Sequence, residues 1–487
     1  MEEAKQQAAG FPQHGRSREE ILQQMNEYRQ QDLNWADGRL FSLVFPTDPE
    51  GSRLLKEAYT LFFSENGLNP TAFPSLRRFE TEVISMSAAL LGGDEAVAGN
   101  MTSGGTESIL MTVLTAREWA RAVRPDIETP EIILPRSGHP AFEKAAHYFH
   151  CRVVYVPLTE QFQVDVTAVR AAITPDTVMI VGSAPAYPQG IVDPIPELAA
   201  IAREHGLLCH VDACVGGFFL PFLRRMGYEL PPFDFSVPGV TSISADLHKY
   251  GYAAKGASVI LYRRKELRRY QMYATTDWPG GIYASPTMAG TRPGGAIAAA
   301  WAILNYYGAA GYERVARQIM DAVELVRNGI EAIPDLHILG RPQMSIIALA
   351  SDTLDIYEIG DELSLRGWHL DRQQFPPSLH MTVNYAHIKT VDQFLRDLRA
   401  AVAAARRRSL PRLLRGWSVR AAQRLISWLP SSVASRLTRG AAAQIGGGKG
   451  LPGRSAPMYG MMGTLPNRGD VREVVLDLLD QFTTPRR

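Results

Sequence analysis

The chain of 487 residues contains few cysteines and carries almost no net charge. The cysteines are Cys151, Cys209 and Cys214, an odd number without the spacing of a metal site, which is typical of a protein from a reducing compartment. A formal net charge of +1 gives no overall attraction to nucleic acid. These scarcities argue against a disulfide-stapled secreted fold, a metal site and a nucleic-acid partner.

Long apolar runs are also missing. No stretch of about 20 apolar residues, the length of a membrane-spanning helix, occurs, and the polar N-terminus lacks the apolar core of a signal peptide. Hydrophobic residues make up 46% of the chain, which suits a globular protein. We therefore expect a soluble, cytoplasmic protein, and the length predicts one large domain with smaller parts.

Short apolar strands alternate with helices over residues 96–290. The predicted strands are 131–134, 152–156, 178–181, 207–211, 240–244 and 257–261. This alternation predicts a mainly parallel sheet with helices on both faces. Helices are predicted before it at 17–32, with a Ser17/Glu20 capping box, and at 75–91. We expect an N-terminal helical segment that contributes to a dimer and a substrate channel (1–95), a large domain (96–310) and a small C-terminal α+β domain (311–487).

A lysine follows the predicted strand 240–244, within the string SISADLHKYGY of residues 242–252. Apolar segments flank Lys249, and we expect them to weaken its preference for the charged state and to make its amine a better nucleophile. A lysine that snorkels from a strand end is the alternative, and the His248-Lys249 pair alone favours that alternative. The residues upstream reverse the preference.

Two upstream strings supply the rest of a site. The predicted strand 207–211 is followed by Asp212, at the carboxyl end where ligands of parallel sheets collect. Gly104, Gly105 and Thr106 lie between a strand-like segment and a helix, so backbone amides, a hydroxyl and a helix N-terminus can hold a phosphate group. A turn that only caps the helix is the alternative. A Walker loop is excluded because no Gly-Lys-Ser/Thr follows.

A phosphate cradle, an acid and a lysine 37 positions beyond the acid meet the needs of pyridoxal 5′-phosphate. The aldehyde of that cofactor joins a lysine amine, and its ring nitrogen, held protonated by a carboxylate, makes the ring an electron sink. His139 precedes a predicted helix and could lie flat on the ring. For that histidine alone, a capping or surface role is the better interpretation.

Longer strings resemble a known family. They are TSGGTES (102–108), VDAC (211–214), SADLHKYGY (244–252), TDW (276–278), GIYASPT (281–287), RPGG (292–295) and QFPPS (374–378). Together they resemble the group II pyridoxal-phosphate-dependent decarboxylases and, among these, the sphingosine-1-phosphate lyases of the soluble bacterial type. The resemblance implies fold type I, the aminotransferase-like α/β fold, with a large, mainly parallel seven-stranded sheet domain and a small C-terminal α+β domain.

The resemblance also implies the cofactor-binding residues. Lys249 would form the Schiff base, Asp212 would pair with the ring nitrogen, and His139 and Ala213 would pack on the two ring faces. The phosphate would be held by Gly104, Gly105, Thr106 and His248, and by Thr291 of the neighbouring subunit, because in this family a homodimer shares its active sites.

Catalytic and substrate-binding roles follow from the same resemblance. The catalytic residues would be Lys249, Tyr283 and His139, with acid–base duty on the first two. Lys255, Tyr187 and Tyr283 would face the substrate. Phe45 and Asn69 stand where the family carries a tyrosine and a histidine that help to bind the substrate phosphate. Because phenylalanine has no hydroxyl and asparagine cannot be cationic, we expect that phosphate clamp to be weakened or rebuilt.

The implied reaction is an aldehyde-lyase cleavage. The C2–C3 bond of a sphingosine-1-phosphate-like phosphorylated long-chain base would break to give a fatty aldehyde and phosphoethanolamine. An amino-acid decarboxylase of the same family is one alternative, and Phe45 and Asn69 keep it open. A catalytically silent, membrane-associated scaffold is another, and the presence of Lys249 and Asp212 argues against it.

A Trp- and Arg-rich insertion at 406–455 contains no acidic residue. Trp417 and Trp428 alternate with arginines, as in an interfacial helix on an anionic membrane. A solvated basic connector, or a helix packed on a partner subunit, is the alternative. The membrane interpretation predicts peripheral contact through residues 409–440.

Overall fold

The computed structural model describes residues 11–407 and 468–483. The chain divides into two compact units. The larger unit consists of Phe41–Ala350 and His380–Asp392, and the smaller one of Met1–Leu40, Ser351–Leu379 and Gln393–Arg487. The three-part organisation predicted from the sequence, with boundaries at 95 and 310, stays a prediction. The segment 409–440 lies outside the described residues.

A seven-stranded sheet forms the centre of the larger unit. Its strands are β1 (Ala98–Thr102), β2 (Glu131–Pro135), β3 (Arg152–Val156), β4 (Thr177–Ser183), β5 (Leu208–Asp212), β6 (Ser242–Ala245) and β7 (Ser258–Tyr262). They are arranged in the order β1-β7-β6-β5-β4-β2-β3. Strand β7 is antiparallel to β1 and β6, and the other neighbours are parallel. The predicted seven-stranded, mainly parallel sheet is confirmed.

Helices cover both faces of this sheet. Val181 of β4 belongs to an apolar cluster with α4 (Gly105–Val123) and α5 (Ala141–Phe149). The next residue, Gly182, faces α7 (Ile195–Glu204), where a Cβ would lie 2.6 Å from Ile195. Successive residues of a strand point to opposite faces, so α4 and α5 lie on one side and α7 on the other. The remaining helices up to residue 268 in this unit are α2 (Pro49–Leu61), α3 (Pro74–Leu90), α6 (Val166–Ala171), α8 (Leu220–Arg225) and α9 (Lys265–Arg268).

A hairpin and a long helix follow the sheet. A 3₁₀ turn (Arg269–Gln271) leads into strands β8 (Tyr273–Thr275) and β9 (Tyr283–Ser285), which pair antiparallel. Helix α10 (Gly294–Glu331) contacts α2, α3 and α8, and it is interrupted at Gly308, whose φ of 51° is not helical. Strands β10 (His337–Ile338) and β11 (Ile346–Ala350) then pair antiparallel.

The smaller unit contains α1 (Arg18–Arg29), which begins with the predicted capping box between Ser17 and Glu20. It also contains α11 (Ile356–Ser364), β12 (Asp371–Gln374), most of α12 (391–407) and α13 (Arg468–Thr483). Strand β13 (Pro377–Thr382) and a 3₁₀ turn (Tyr385–His387) lie along the chain between β12 and α12.

Candidate active site

The predicted site elements converge where β5 and β6 end and α4 begins. Asp246, just after β6, donates its backbone N–H to the carbonyl of Cys214 at 3.2 Å. Gly105, at the start of α4, lies so close that a Cβ there would be 2.8 Å from Oδ2 of Asp246 and 2.9 Å from Sγ of Cys214. The glycine is therefore required for this close approach, and the two strand ends and the helix start form one pocket.

Lys249 forms an ion pair with Asp246 in this pocket. Its Nζ lies 2.8 Å from Oδ2 of Asp246, and the two side chains are 24% and 2% exposed. Burial lowers the pKa of Lys249, but the Asp246 carboxylate and the weaker charges around the amine together reverse that effect, and the net shift of the pKa is upward. Burial opposes the charge of Asp246, yet the Lys249 ammonium holds the pKa of that carboxyl below its usual value. The expectation that Lys249 has a weakened charge is therefore wrong, because sequence reasoning assigned no role to Asp246.

His248 lies on the other side of Asp246, and its Nε2 is 3.7 Å from Oδ2 of that carboxylate. Burial, only partly offset by Asp246, lowers the pKa of His248 to about 4, so the imidazole is neutral at pH 7. A Cβ at Gly104 would lie 3.3 Å from Cε1 of His248. The glycine pair and the histidine therefore line the same opening. Thr106 is exposed in the first turn of α4.

Asp212 is buried at the end of β5 and connects to a second histidine. Its Oδ1 accepts hydrogen bonds from the Cys214 backbone at 3.1 Å and from Oγ of Ser244 at 3.5 Å. The same Ser244 hydroxyl lies 3.2 Å from Nε2 of His210. The charge of Asp212 also contributes to the raised pKa of Lys249, so this carboxylate acts on the same amine as Asp246.

His210 was not predicted as a site residue. It is fully buried, its Nδ1 lies 2.9 Å from Oγ of Ser242, and burial lowers its pKa to about 4. A signal was present in the sequence, because residues two apart on a strand share a face and His210 stands two positions before Asp212.

Glu107 was also missed. From the first turn of α4, its Oε2 accepts a hydrogen bond from the Ser103 backbone at 2.6 Å, and its Oε1 accepts one from the Met288 backbone at 3.0 Å. The buried carboxylate thus joins the glycine turn to the segment that follows β9. Its place inside the string TSGGTES was the only sequence signal.

Pyridoxal phosphate fits this pocket on two observations. Oδ1 of Asp246 and Nδ1 of His248 are buried polar atoms that lack a hydrogen-bond partner within residues 11–407. Such atoms are costly unless something pairs with them. In addition, Gly104 and Gly105 are half-buried at the N-terminus of α4, and backbone amides at such a helix start stabilise a phosphate group. The Lys249 side chain, which is 24% exposed, lies beside these groups.

Lys255 and Phe45 lie beside this pocket. Nζ of Lys255 donates to the His248 carbonyl at 3.3 Å and lies 5.4 Å from the centre of the Phe45 ring. Although much of the side chain is exposed, burial of the amine, and then the charge of Lys249, lower the pKa of Lys255 to about 8. Phe45 also meets the edge of Tyr250 at 5.0 Å.

The other residues expected near the cofactor ring occupy several places. Ala213 is fully buried and donates its N–H to the Ser244 carbonyl at 2.9 Å. Tyr187 stacks on His380 at 4.0 Å between ring centres. His139 is exposed, and its Nδ1 accepts a hydrogen bond from the Ala141 backbone at 3.2 Å. That hydrogen bond satisfies the first backbone N–H of α5, and stacking of His139 on the cofactor ring stays a prediction.

Tyr283 and Thr291 lie in a second group, and Asn69 lies in the loop that contacts this group through Asn66. A Cβ at Gly290 would be 3.1 Å from the Tyr283 hydroxyl, and Nδ2 of Asn66 donates to Oγ1 of Thr291 at 3.2 Å. Oδ1 of Asn69 accepts hydrogen bonds from the backbone N–H groups of Thr71 and Ala72, and these bonds stabilise a turn. Among the contacts of the described residues, none joins this second group to Lys249.

Comparison with known proteins identifies a domain family and a set of similar proteins. The sequence profile of the pyridoxal-dependent decarboxylase conserved domain matches residues 2–350. A sphingosine-1-phosphate lyase of Arabidopsis thaliana is 41% identical over 469 residues, which are 95% of this chain and 79% of the relative. Sphingosine-1-phosphate lyase 1 of Rattus norvegicus is 45% identical over 80% of this chain and 69% of its own length.

Solved structures agree with the sequences. The structure of a sphingosine-1-phosphate lyase of Burkholderia pseudomallei superposes with a TM-score of 0.79 at 42% identity, covering 84% of this chain and 95% of the other. A Lactobacillus brevis glutamate decarboxylase, at 19% identity and a TM-score of 0.72 over 82% of this chain and 95% of its own, shares the fold, which confirms fold type I. The chain thus belongs to the pyridoxal-dependent decarboxylase family and, within it, to the sphingosine-1-phosphate lyases.

Proposed function

We propose that the protein is a pyridoxal-phosphate-dependent aldehyde-lyase. It cleaves the C2–C3 bond of phosphorylated long-chain bases of the sphingosine-1-phosphate type and releases a fatty aldehyde and phosphoethanolamine. The observation that carries this proposal is the shared pocket of Lys249 and Asp212, in a chain whose lyase relatives match it over most of their length.

Different residues of the chain would contact different parts of the cofactor. The Lys249 amine would be the attachment point, and Asp212 would favour a proton on the ring nitrogen. Neutral His248, Gly104, Gly105 and Thr106 would hold the phosphate, and Ala213 and His139 would pack against the ring. When bound, the cofactor supplies an electron sink for the bonding pair left at C2. The buried Ser244 and His210 keep the Asp212 carboxylate in one orientation.

Proton transfer and substrate binding require further groups. We assign acid–base duty to Tyr283 and Lys249, with Tyr283 as the base at the C3 hydroxyl and Lys249, in its ammonium form, as the acid at C2. Tyr187, Phe45 and Asn69 contact the substrate. Lys255 binds the substrate phosphate. Its pKa of about 8 means that it is mostly charged at pH 7, and a dianion beside it would raise that pKa further.

The second group of residues supports a homodimer with shared active sites. Tyr283 and Thr291 lie on and after the β8–β9 hairpin, and no contact within residues 11–407 joins them to Lys249 of their own chain. Trp278, Ile282 and Met288 of the same segment expose 54%, 78% and 50% of their surface. Exposed apolar residues of this size are typical of an interface. We propose that this segment carries Tyr283 and Thr291 to the pocket of the second subunit.

We also propose a cytoplasmic location with peripheral contact to membranes through residues 409–440. Across the described ranges, 11–407 and 468–483, no helix has the length and apolar character needed to cross a bilayer. Flotation with anionic liposomes, with and without residues 409–440, tests the contact. Equal flotation of the two proteins would contradict it.

Product analysis tests the proposed function. The purified protein, reconstituted with pyridoxal phosphate, is incubated with sphinganine-1-phosphate, and the products are identified by mass spectrometry. The proposal predicts hexadecanal and phosphoethanolamine in equal amounts. Carbon dioxide from amino acids, without aldehyde from the phosphorylated base, would identify a decarboxylase instead. A protein that binds the cofactor but releases none of these products would be the silent scaffold.

A further inference from the structure

The ion pair of Lys249 and Asp246 is unusual for a lysine that must act as a nucleophile. A protonated amine has no free electron pair and cannot attack an aldehyde. Nζ of Lys249 and Oδ2 of Asp246 are 2.8 Å apart, and the carboxylate is only 2% exposed. Whenever Lys249 is not joined to the cofactor, this contact therefore favours its charged and unreactive form.

The other groups around Lys249 do not replace Asp246. Asp212, from β5, acts on the amine more weakly than Asp246 does. Burial keeps the Cys214 thiol protonated by raising its pKa well above its ordinary value. His248 is neutral at pH 7, and the mostly charged amine of Lys255 repels a second positive charge. Asp246 is thus the dominant group that keeps the proton on Lys249.

The proposed reaction gives this contact a purpose. In the proposed reaction, the Lys249 amine would be free while the aldehyde product lies in the same pocket. A neutral Lys249 amine would condense with that aldehyde: the nitrogen would bond to the aldehyde carbon, and its two hydrogens would leave with the oxygen as water. The enzyme would be blocked by its own product until that bond hydrolysed.

We propose that Asp246 is a guard residue, which holds the released Lys249 amine as an ammonium ion and so protects it from the aldehyde product. Asp246 acts through Lys249 and is a positioning residue, not a catalytic one. The inference rests on the proposed function for the identity of the aldehyde. The ion pair of Lys249 and Asp246 is observed independently of the proposed function.

The test measures adducts on the lysine and not activity. The full-length protein, stripped of cofactor, is incubated at about pH 7 with hexadecanal and cyanoborohydride, which reduces each carbon–nitrogen double bond to a stable amine. Peptide mass spectrometry then gives the rate of labelling at Lys249, with the exposed Lys265 as reference in the same digest. The proteins compared are the wild type, Asp246→Asn and the matched control Asp321→Asn, which alters an exposed carboxylate of α10.

The inference predicts that Asp246→Asn labels Lys249 about tenfold faster or more than the wild type, because one unit of pKa changes the neutral fraction of an amine tenfold. Asp321→Asn should match the wild type, and labelling of Lys265 should not change in any protein. Equal labelling of Lys249 in the wild type and Asp246→Asn would overturn the inference.

Two further measurements apply if Asp246→Asn does not fold or if Lys249 does not bind the cofactor. If Asp246→Asn does not fold, as judged by circular dichroism, the wild-type pH profile decides: labelling of Lys249 should still rise about tenfold per pH unit above the pH at which labelling of the exposed Lys265 levels off, because the pKa of Lys249 is raised. A flat profile would overturn the inference.

Pyridoxal phosphate replaces hexadecanal in a parallel incubation. Failure of the wild-type Lys249 to capture that cofactor at any pH would contradict the proposed function, while the hexadecanal result still decides the role of Asp246.

Discussion

The Glu107 carboxylate accepts a hydrogen bond from the backbone of Met288 at 3.0 Å, across 181 positions of sequence. The same carboxylate holds the Ser103 backbone at 2.6 Å, so one side chain fixes both the glycine turn and the segment after β9. The turn that we assign to the cofactor phosphate therefore depends on a residue that need not touch the phosphate.

Glu107→Gln should weaken cofactor binding. A neutral amide can accept only one of the two backbone hydrogen bonds through its oxygen, and losing a charge-assisted bond costs about 1.5–3 kcal/mol, or roughly tenfold to a hundredfold in affinity. Titration of the stripped protein with pyridoxal phosphate, followed by absorbance, measures the dissociation constant. Glu128→Gln, at an exposed position, is the control. An unchanged dissociation constant in Glu107→Gln would show that the turn holds its shape without this contact.

Lys255→Ala should lower kcat/KM for sphinganine-1-phosphate by about a hundredfold, because a charged hydrogen bond to the phosphate is lost. The absorbance of the bound cofactor should stay unchanged, since Lys249 retains its own partner. Lys265→Ala is the matched control at an exposed lysine. Normal cleavage of the substrate by Lys255→Ala would remove Lys255 from the substrate site.

Tyr283→Phe tests the shared site through mixed dimers. If Tyr283 serves the pocket of the second subunit, a dimer of one Lys249→Ala and one Tyr283→Phe subunit has one site with both changes and one site with neither. Unfolding and refolding a one-to-one mixture gives half mixed dimers, so about one quarter of wild-type activity should return. A mixture no more active than its parents would place Tyr283 at its own subunit's pocket or outside the site.

His210 should make stability fall at acid pH. Its pKa is about 4 in the folded protein and about 6.5 when unfolded, so the unfolded chain binds the extra proton first. The contribution of His210 is therefore present above about pH 6.5 and is lost as the pH falls toward 4, by about 3 kcal/mol in all. Urea unfolding at a series of pH values measures this. His210→Gln, which keeps a neutral polar group beside the serines, should show a smaller loss. Identical pH slopes would mean that His210 is not the neutral buried group described.

The sequence predicted those parts of the site that follow strands. Asp212, Lys249 and the glycine pair could be placed because apolar runs mark the buried strands, and the carboxyl ends of parallel strands meet at one edge. The mainly parallel sheet and the helices before it were predicted from the same periodicity. The β8–β9 hairpin was not, because its strands of three residues are too short to show a pattern.

What could not be predicted depends on contacts between distant segments. The raised pKa of Lys249 follows from the inward orientation of Asp246, and a carboxylate three positions before a lysine is equally typical of a solvated turn. Glu107 gains its role only because the chain returns to it near residue 288. The segments that flank Lys249 in the sequence are apolar and buried, as expected. They nevertheless place the Lys249 amine 2.8 Å from the buried Asp246 carboxylate, which favours the charged form of the amine.

The most direct test of the central claim is the covalent attachment of the cofactor. The reconstituted protein is reduced with borohydride, digested and examined by peptide mass spectrometry, with Lys249→Ala treated in parallel. The account predicts a phosphopyridoxyl group on Lys249 in the wild type and none on the corresponding peptide of the variant. A wild-type protein that carries the group on another lysine, or on none, would contradict the assignment of this pocket as the active site.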